Sequence, residues 1–353
     1  MRYNRLGSTG LIVSELCLGA MTFGTKPGRF GAIAGLDQSA STDLVKQAFD
    51  AGINFIDTAN VYTTGQSEEF VGGAIRELGL ARSDVVVATK ALGAMGEGPN
   101  DAGVSRYHLM HQIDASLKRL GTDHIDLYQI HGWDSQTPMD EALRALDDMV
   151  RAGKVRYIGV SNWAAWQIMK ALGISERLGL EKFASLQAYY TVAGRDLERE
   201  IVPMLLSEGV GLMVWSPLAG GFLSGKYTRG DDDRSQGEGR RAAFDFPPVE
   251  MDRGYNLIEA MQRMAGARGD GTTVARLALA WLLYQPVVST VIVGAKRADQ
   301  LADNIAACEV ELSAAELARL DELSRLPSEY PGWMLGFQGG YRGALTAERR
   351  QPK

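Results

Sequence analysis

Eight compact apolar segments, each followed by residues with the spacing of an amphipathic helix, limit what this chain can fold into. They are SELCLGA, INFIDTA, DVVVATK, IDLYQIHG, VRYIGVSN, FASLQAYY, GVGLMVWSPL and STVIVGA. Apolar residues at consecutive rather than alternate positions indicate strands that are covered on both faces, as in a parallel sheet. Because eight strand–helix units are the number that closes a barrel, the pattern predicts an α/β fold, the (β/α)8 TIM barrel.

The stretches between these segments predict the helices of the barrel. Glycines that end helices and polar residues that begin them mark the boundaries. The candidate starts are Thr42, Ser67, Ser105 and Asp196, and the candidate ends are Gly52, Gly79, Gly121 and Gly153. The predicted helices span residues 41–51, 66–79, 105–120, 138–152, 163–172, 196–208, a pair near 255–284, 297–307 and 313–325. An open doubly wound sheet is the main alternative, but LGAMTFG at the end of the first strand lacks its usual G-x-G-x-x-G turn.

Three segments lie outside this repeat. Residues 3–13 predict an N-terminal β-hairpin around the turn-rich spacer GSTG. Residues 218–254 contain GDDDRSQGEGRR and predict a long flexible loop after the seventh strand, either a mobile flap over a ligand or a plain solvated loop. Residues 327–353 predict a C-terminal tail whose aromatic residues roof a pocket, pin the tail to the barrel or form a subunit contact. We expect a single domain over residues 1–353.

Composition excludes several classes of function. The chain has 353 residues, 45% of them hydrophobic and 23% charged, and no apolar run of about 18 residues that could cross a membrane. The start of the chain lacks the pattern of a secretory signal, so we expect a cytoplasmic protein. A net charge of −6 argues against nucleic acid or an acidic membrane as partner. Cys17 and Cys308 are expected to be buried free thiols.

Polar residues follow the predicted strands at the point where each strand ends. They are Asp57, Lys90, His131, Ser161, Asn162, Gln187 and Ser216, and Gly294 ends the eighth strand. In a parallel barrel all carboxyl ends share one rim, so residues scattered over the chain converge there. The sequence therefore predicts an active site at this rim.

Three of these rim residues, together with Tyr62 five residues after Asp57, have the chemistry needed to protonate a carbonyl oxygen during reduction. A tyrosine such as Tyr62, with an unperturbed pKa of about 10, holds its proton at neutral pH, and the ammonium of Lys90 favours the tyrosinate left after donation. Asp57 can pair with Lys90, and His131 supplies a second hydrogen-bonding group for the substrate oxygen. Each residue alone has an ordinary structural explanation, but their joint occurrence at successive strand ends favours catalysis.

The motifs resemble the successive signatures of the aldo-keto reductase family, from about residue 1 to residue 325. They are GINFIDTANVYTTGQSEEFVG, VVVATK, IDLYQIHGWD, VRYIGVSNW, WSPLAGGFLSGKY and IVGAKRADQLADNI. The resemblance implies that Tyr62 is the general acid, that Lys90 and Asp57 tune it, and that His131 orients the carbonyl. It implies an NADPH-dependent oxidoreductase that reduces an aldehyde or ketone reversibly.

The cofactor residues follow in the same way. Ser161, Asn162 and Gln187 offer groups suited to the nicotinamide carboxamide, and Trp215 offers a flat face for its ring. The pyrophosphate is expected along Ser216, Pro217, Leu218, Gly220 and Lys226, with Gly294 at the last strand end. Lys296 and Arg297 stand at a helix start that can bind a phosphate, and the resemblance assigns the 2′-phosphate and adenine to this place, with contacts from Gln300, Asp303 and Asn304.

Other readings of the sequence compete with this one. The segment from Gly220 to Lys226 matches part of a P-loop, but Tyr227 replaces its Ser or Thr, so we reject a nucleotide triphosphatase. His108 and His111 lack a third ligand, so a solvated helix face and no metal site are expected.

Phe23, Trp133, Trp333 and Phe337 are candidates for a pocket that takes an apolar or ring-bearing carbonyl compound. The branch of the family that the chain resembles includes potassium-channel β subunits. An NADPH-binding sensor with little turnover is therefore the alternative function, and His131 favours the enzyme. The sequence leaves a homo-oligomer open.

Overall fold

Eight parallel strands close into a barrel in the computed structural model, which describes residues 1–27, 33–229 and 246–343. Each barrel strand pairs with the strands before and after it, and the last pairs with the first. This arrangement confirms the predicted (β/α)8 barrel. The barrel strands are β3 (Leu16–Gly19), β4 (Phe55–Asp57), β5 (Val86–Ala91), β6 (Ile125–Ile130), β7 (Val155–Ser161), β8 (Phe183–Tyr189), β9 (Gly211–Trp215) and β10 (Val288–Val293).

An antiparallel hairpin closes the amino end of the barrel. Its strands are β1 (Tyr3–Arg5) and β2 (Ile12–Ser14), as the turn residues predicted. Leu6 and Val13 are fully buried and pack with apolar side chains inside the barrel. The backbone N–H of Ser8 donates to the carbonyl of Gly209, 2.7 Å away, at the start of a barrel strand. The hairpin therefore excludes water from the end of the barrel opposite the predicted site.

The helices lie outside the strands, with boundaries that differ in places from the prediction. They are α1 (Gln38–Asp50), α2 (Gln66–Glu77), α3 (Arg106–Leu120), α4 (Met139–Arg151), α5 (Ala165–Leu178), α6 (Ile201–Glu208), α7 (Met251–Arg268), α8 (Val274–Leu283), α9 (Ala298–Ala306), α10 (Ala314–Ser324) and α11 (Gly332–Gly343). Helix α1 begins earlier than predicted because the carboxylate of Asp37 caps it by accepting from Ala40 N. Thr42 therefore lies inside that helix.

Two further helix boundaries have clear physical causes. Helix α5 continues past residue 172 and ends at Gly179, whose φ of 64° lies in the left-handed region. The predicted helix 196–208 is divided into a short 3-10 helix (Asp196–Glu198) and α6. Proline has no N–H to donate to the preceding turn, so it is tolerated only in the first turn of a helix. Pro203 therefore lies in the first turn of α6, which begins at Ile201.

The described residues of the predicted loop and tail include regular structure. Residues Ala219–Ser224 form a buried 3-10 turn, and Glu250 caps α7, so both ends of the predicted 218–254 loop pack against the barrel. Its polar part, residues 230–245, lies outside the described residues, and flap motion stays a prediction. The tail forms helix α11, with Trp333 50% and Phe337 65% exposed. As placed, these aromatic side chains do not enclose a pocket.

Side chains inside the barrel change from apolar to polar toward the carboxyl ends of the strands. Inward positions near the hairpin hold Cys17, Phe55, Val86, Ala88, Leu127, Met213 and Ile292. Because alternate residues of a strand share a face, the next inward positions on β4, β5, β6 and β8 are Asp57, Lys90, Gln129 and Gln187. Along the described part of the chain, no helix combines the length and the apolar character that a membrane crossing requires.

Close packing of α2 on α3 gives the first testable prediction. A Cβ added at Gly72 would lie well inside van der Waals distance of the Leu120 carbonyl, whereas a Cβ at Gly173 in α5 meets nothing within 4 Å. We expect Gly72→Ala to lower the free energy of unfolding by about 1–3 kcal/mol through overpacking. Gly173→Ala should raise it by up to about 1 kcal/mol, because alanine loses less conformational freedom on folding. Urea unfolding of both variants measures this, and equal effects would contradict the packing argument.

Candidate functional site

The ammonium of Lys90 is fully buried at the end of β5 and has three polar partners. Its Nζ donates to Asp57 Oδ2 at 2.6 Å, to the Thr58 carbonyl at 2.8 Å and to Tyr62 Oη at 3.4 Å. An ammonium has three N–H groups, so these contacts use all of its donors. Burial lowers the pKa of Lys90, but the charges and hydrogen bonds of Asp57 and Tyr62 outweigh burial and raise that pKa above its ordinary value. Lys90 therefore carries its positive charge at neutral pH.

Tyr62 is held beside Lys90 by an unusual turn of the backbone. Thr63, Thr64 and Gly65 all have left-handed conformations, with φ of 49°, 54° and 87°. Such conformations are costly for residues with a Cβ and persist where surrounding contacts impose them. Here the Thr63 hydroxyl donates to the Phe23 carbonyl at 2.9 Å. The turn directs the Tyr62 ring back over the rim, so the five-residue spacing from Asp57 brings both side chains to Lys90.

His131 completes the predicted group of four. It follows β6, where its backbone N–H donates to the Ala91 carbonyl at 3.1 Å. Its ring lies edge-on to the Tyr62 ring, with 5.7 Å between centroids and 76° between planes. The Asn162 amide donates to the His131 carbonyl at 3.3 Å. The structure thus brings Asp57, Tyr62, Lys90 and His131 to one end of the barrel.

The second oxygen of Asp57 is held by two glutamine amides. Oδ1 accepts from Gln187 Nε2 at 2.8 Å and from Gln129 Nε2 at 3.2 Å, and Gln187 Nε2 also donates to Gln129 Oε1 at 3.4 Å. A buried carboxylate needs such partners because it has lost its water. Sequence reasoning missed Gln129, although its place two residues before His131 puts it on the inward face of the strand.

The residues predicted to receive nicotinamide lie on neighbouring strand ends. The Ser161 hydroxyl donates to the Gln187 carbonyl at 3.0 Å, and Trp215 Nε1 donates to Asn162 Oδ1 at 2.9 Å. Two aromatic side chains that sequence reasoning missed contact the Trp215 ring. Tyr189 lies 5.3 Å away at 39°, and Phe246 is stacked at 5.8 Å and 12°. Tyr189 could have been found, because it occupies the inward position next after Gln187.

The segment after β9 has a backbone suited to an anion. Ser216 has a φ of 51°, and its hydroxyl accepts from Gly220 N at 3.0 Å. Pro217 is buried, Leu218 is half-buried and Lys226 is exposed, with its ammonium 5.1 Å from the Tyr227 ring centroid. A Cβ added at Gly221 would meet nothing within 4 Å, so a ligand can approach the backbone there closely.

The loop after β10 brings further cationic side chains to the rim. Gly294 is exposed, the Lys296 ammonium donates to the Ala34 carbonyl at 3.1 Å, and Arg297 pairs with Asp299 at 2.8 Å. Gln300 accepts from Lys296 N at 3.0 Å.

Asp303 and Asn304 of α9 are also predicted to contact a nucleotide, and this stays a prediction. The Asp303 carboxylate accepts from Arg276 Nε at 2.7 Å and from the Thr273 hydroxyl at 3.1 Å, at the start of α8. Asn304 is buried.

Two other sequence predictions need correction. Phe23 is fully buried in the core and so does not line an open pocket. His108 is also buried rather than on a solvated helix face, with Nδ1 2.9 Å from the Asn100 carbonyl. Of the remaining pocket candidates, Trp133 is 37% exposed and its ring packs edge-on to Trp163 and Trp166. Among the described residues, no three His, Cys, Asp or Glu side chains gather as metal ligands.

A thiol lies beneath the site. Cys17 is fully buried, and its pKa is raised well above the usual value, first by burial and then by the charge of Asp57. Cys308 is half-buried rather than buried as predicted, and burial together with Glu15 raises its pKa to about 12. Both cysteines are free, as the sequence predicted, and both are protonated at neutral pH.

A second buried ion pair fixes the helix that follows Tyr62. Glu68 in the first turn of α2 is fully buried, and its carboxylate accepts from Arg119 Nε at 2.5 Å and from the Thr89 hydroxyl at 2.6 Å. A Cβ added at Gly65 would lie 2.6 Å from Arg119 Cδ. The pair therefore joins α2 to α3 and β5 immediately behind the Tyr62 turn.

Comparison with known proteins finds one matching family and several relatives. A model of the Aldo/keto reductase family matches residues 15–325. The chain is 38% identical over 319 residues to a probable voltage-gated potassium channel subunit beta of Arabidopsis thaliana, covering 88% of this chain and 92% of the relative. It is 37% identical to an uncharacterized oxidoreductase of Bacillus subtilis, covering 92% and 96%. It is 36% identical to a versiconal hemiacetal acetate reductase of Aspergillus parasiticus, covering 94% and 99%. These likenesses confirm the resemblance predicted from the motifs.

The Glu68–Arg119 pair gives a testable prediction about stability. Arg119→Met leaves a buried carboxylate without its counter-charge, so we expect the free energy of unfolding to fall by about 3–5 kcal/mol. The matched control Lys46→Met removes the exposed pair with Asp50, and its loss should stay below about 1 kcal/mol. Chemical denaturation measures both. Adding Glu68→Met to Arg119→Met should recover part of the loss, and a double variant as unstable as the sum of two single variants would contradict the prediction.

Proposed function

This chain belongs to the aldo/keto reductase family, and on that premise we propose that it reduces an aldehyde or ketone to an alcohol, with hydride from NADPH and a proton from Tyr62. Membership of this family supports the inference that the chain is an oxidoreductase that reduces carbonyl compounds with a nicotinamide cofactor. The observation that carries the finer proposal is the buried Lys90 ammonium, whose third N–H points to Tyr62 Oη. A phenol in this position can lose its proton to a substrate oxygen.

The protein groups divide the work of proton donation. As negative charge develops on the carbonyl oxygen, Tyr62 donates its proton to that oxygen. The Lys90 ammonium stabilises the tyrosinate that remains, and its charge is maintained by the Asp57 carboxylate at 2.6 Å. The His131 ring, next to the Tyr62 ring, supplies a second hydrogen bond that orients the carbonyl. NADPH supplies the hydride when it is bound.

The donor set at the rim fits such a cofactor. Ser161, Asn162 and Gln187 provide hydroxyl and amide groups of the kind that a carboxamide needs. Glycines after β9 leave the backbone open to a pyrophosphate, and Gly294 is exposed at the last strand end. Lys296 and Arg297 precede α9, where the free N–H groups of the helix add to their positive charge. This cationic helix start supports NADPH over NADH.

The substrate class follows from the aromatic side chains near His131. Trp133 and Trp166 are exposed and lie 6.0 Å apart between ring centroids. Such surfaces suit an apolar or ring-bearing carbonyl compound. A fungal relative carries the name versiconal hemiacetal acetate reductase, which supports the same class.

The potassium-channel relatives favour a second candidate function. The β-subunit names in Arabidopsis thaliana and rice raise the alternative of an NADPH-binding regulatory subunit with little turnover. A complete group of four at the rim, His131 included, supports the enzyme instead. Steady-state oxidation of NADPH with a panel of aldehydes and ketones decides between them, since a regulatory subunit would oxidise its bound cofactor only once.

Removal of one hydroxyl tests the assigned acid. We expect Tyr62→Phe to lower kcat for carbonyl reduction at least about 100-fold, because no other group replaces its proton, while Kd for NADPH changes less than about threefold. The matched control is Tyr128→Phe, which removes a buried hydroxyl that has no hydrogen-bond partner. That control should reduce carbonyls normally. Near-normal turnover by the Tyr62 variant would show that the proton comes from elsewhere.

Substitutions at the start of α9 test the choice of cofactor. Lys296→Ala and Arg297→Ala should each raise KM for NADPH by about tenfold and leave KM for NADH nearly unchanged, because only NADPH carries the 2′-phosphate. Arg319→Ala removes an exposed arginine of α10 that pairs with Glu322 and serves as a control for net charge. Initial rates with both cofactors give the comparison. An unmutated protein that clearly prefers NADH would refute this assignment.

A further inference from the structure

Gln129 lies where the proton-donating group and the nicotinamide-binding residues meet. Building on the proposed function, we infer that Gln129 is a positioning residue, which fixes the Asp57 carboxylate and the Gln187 amide in one arrangement. Its side chain is fully buried inside the barrel, on the inward face of β6. It does not reach the reacting atoms, so its effect on the reaction passes through these two neighbours.

Three hydrogen bonds form a closed triangle among these side chains. Gln129 Nε2 donates to Asp57 Oδ1 at 3.2 Å, Gln187 Nε2 donates to the same oxygen at 2.8 Å, and Gln187 Nε2 donates to Gln129 Oε1 at 3.4 Å. Asp57 Oδ2 is left to face Lys90. Rotation of the carboxylate away from Lys90 would break two of these hydrogen bonds at once, so the triangle holds Oδ2 against the ammonium.

The triangle also decides how Gln187 meets a ligand. A glutamine amide has two N–H groups and one carbonyl oxygen. Both N–H groups of Gln187 are directed within the triangle, one to Asp57 and one to Gln129. Gln187 therefore offers its Oε1 to the bound nicotinamide, as an acceptor for the carboxamide NH2. Without Gln129 the Gln187 amide keeps only its hydrogen bond to Asp57, so it loses the second of the two contacts that fix its orientation.

A glycine on the neighbouring strand makes room for Gln129. A Cβ added at Gly159 of β7 would lie 3.2 Å from Gln129 Cγ and 2.8 Å from Ser185 Oγ. Alanine at this position would require Ser185 to move and the Gln129 side chain to shift by a few tenths of an ångström.

Gln129→Met tests the inference, because methionine keeps the volume and removes both hydrogen-bonding ends. We expect Kd for NADPH, measured by fluorescence, to rise about fivefold to tenfold, since Gln187 loses one of the two hydrogen bonds that fix its orientation. We also expect kcat to fall about tenfold, since Asp57 loses one donor. In a Gln187→Met background, Gln129→Met should change Kd less than about twofold, because the two residues act as one unit. Gly159→Ala, which displaces the side chain without removing it, should reproduce the weaker binding in part.

The matched control is Gln167→Met, which removes another buried glutamine amide outside the site, at the start of α5. It should leave Kd and kcat within about twofold of the unmutated protein. If Gln129→Met binds NADPH and turns over like the unmutated enzyme, or if its effect on Kd is the same with and without Gln187, the inference is wrong while the proposed function stands. An unmutated protein that does not bind NADPH would overturn both.

Discussion

The buried Lys90 ammonium is the interaction on which the rest of the site depends. A positive charge inside a protein is costly unless its partners replace the lost water, and here a carboxylate, a carbonyl and a phenol do so. A different structural feature places each partner beside Lys90. Asp57 ends the neighbouring strand, the Thr58 carbonyl follows it, and Tyr62 arrives through a left-handed turn. The Lys90–Asp57 ion pair therefore requires that the ends of β4 and β5 be accurately positioned. The same positioning places the Tyr62 phenol beside the Lys90 charge.

Alternation along the strands explains how an apolar barrel holds such a site. The inward positions near the hairpin are apolar, and the next inward positions toward the rim carry Asp57, Lys90, Gln129 and Gln187. The hairpin seals one end, so water can reach these groups only from the rim. The buried Glu68–Arg119 pair supports the same rim from outside, behind the Tyr62 turn. Stability and chemistry thus use neighbouring but separate sets of charges.

Sequence reasoning worked best where a single local rule applies. The eight strands, the hairpin and the convergence of Asp57, Lys90 and His131 follow from apolar segments and from the shared direction of parallel strands. It failed where a side chain had several possible partners. Phe23 joins the core instead of lining an open pocket, and His108 is buried instead of lying on a solvated helix face. Gln129 was missed because a lone glutamine in an apolar strand gives no signal until its neighbours across the barrel are known.

The sequence by itself determined the barrel, the order of its strands and the set of chemical groups at its rim, because apolar periodicity and strand direction act over short stretches of chain. Only the tertiary structure decided which atoms of those groups meet. A difference of a few tenths of an ångström decides whether two groups form a hydrogen bond. The two groups can be far apart in the chain, as Asp57 and Gln187 are. The contact between Gly159 and Gln129 also depends on the tertiary structure, because the packing of two neighbouring strands determines it.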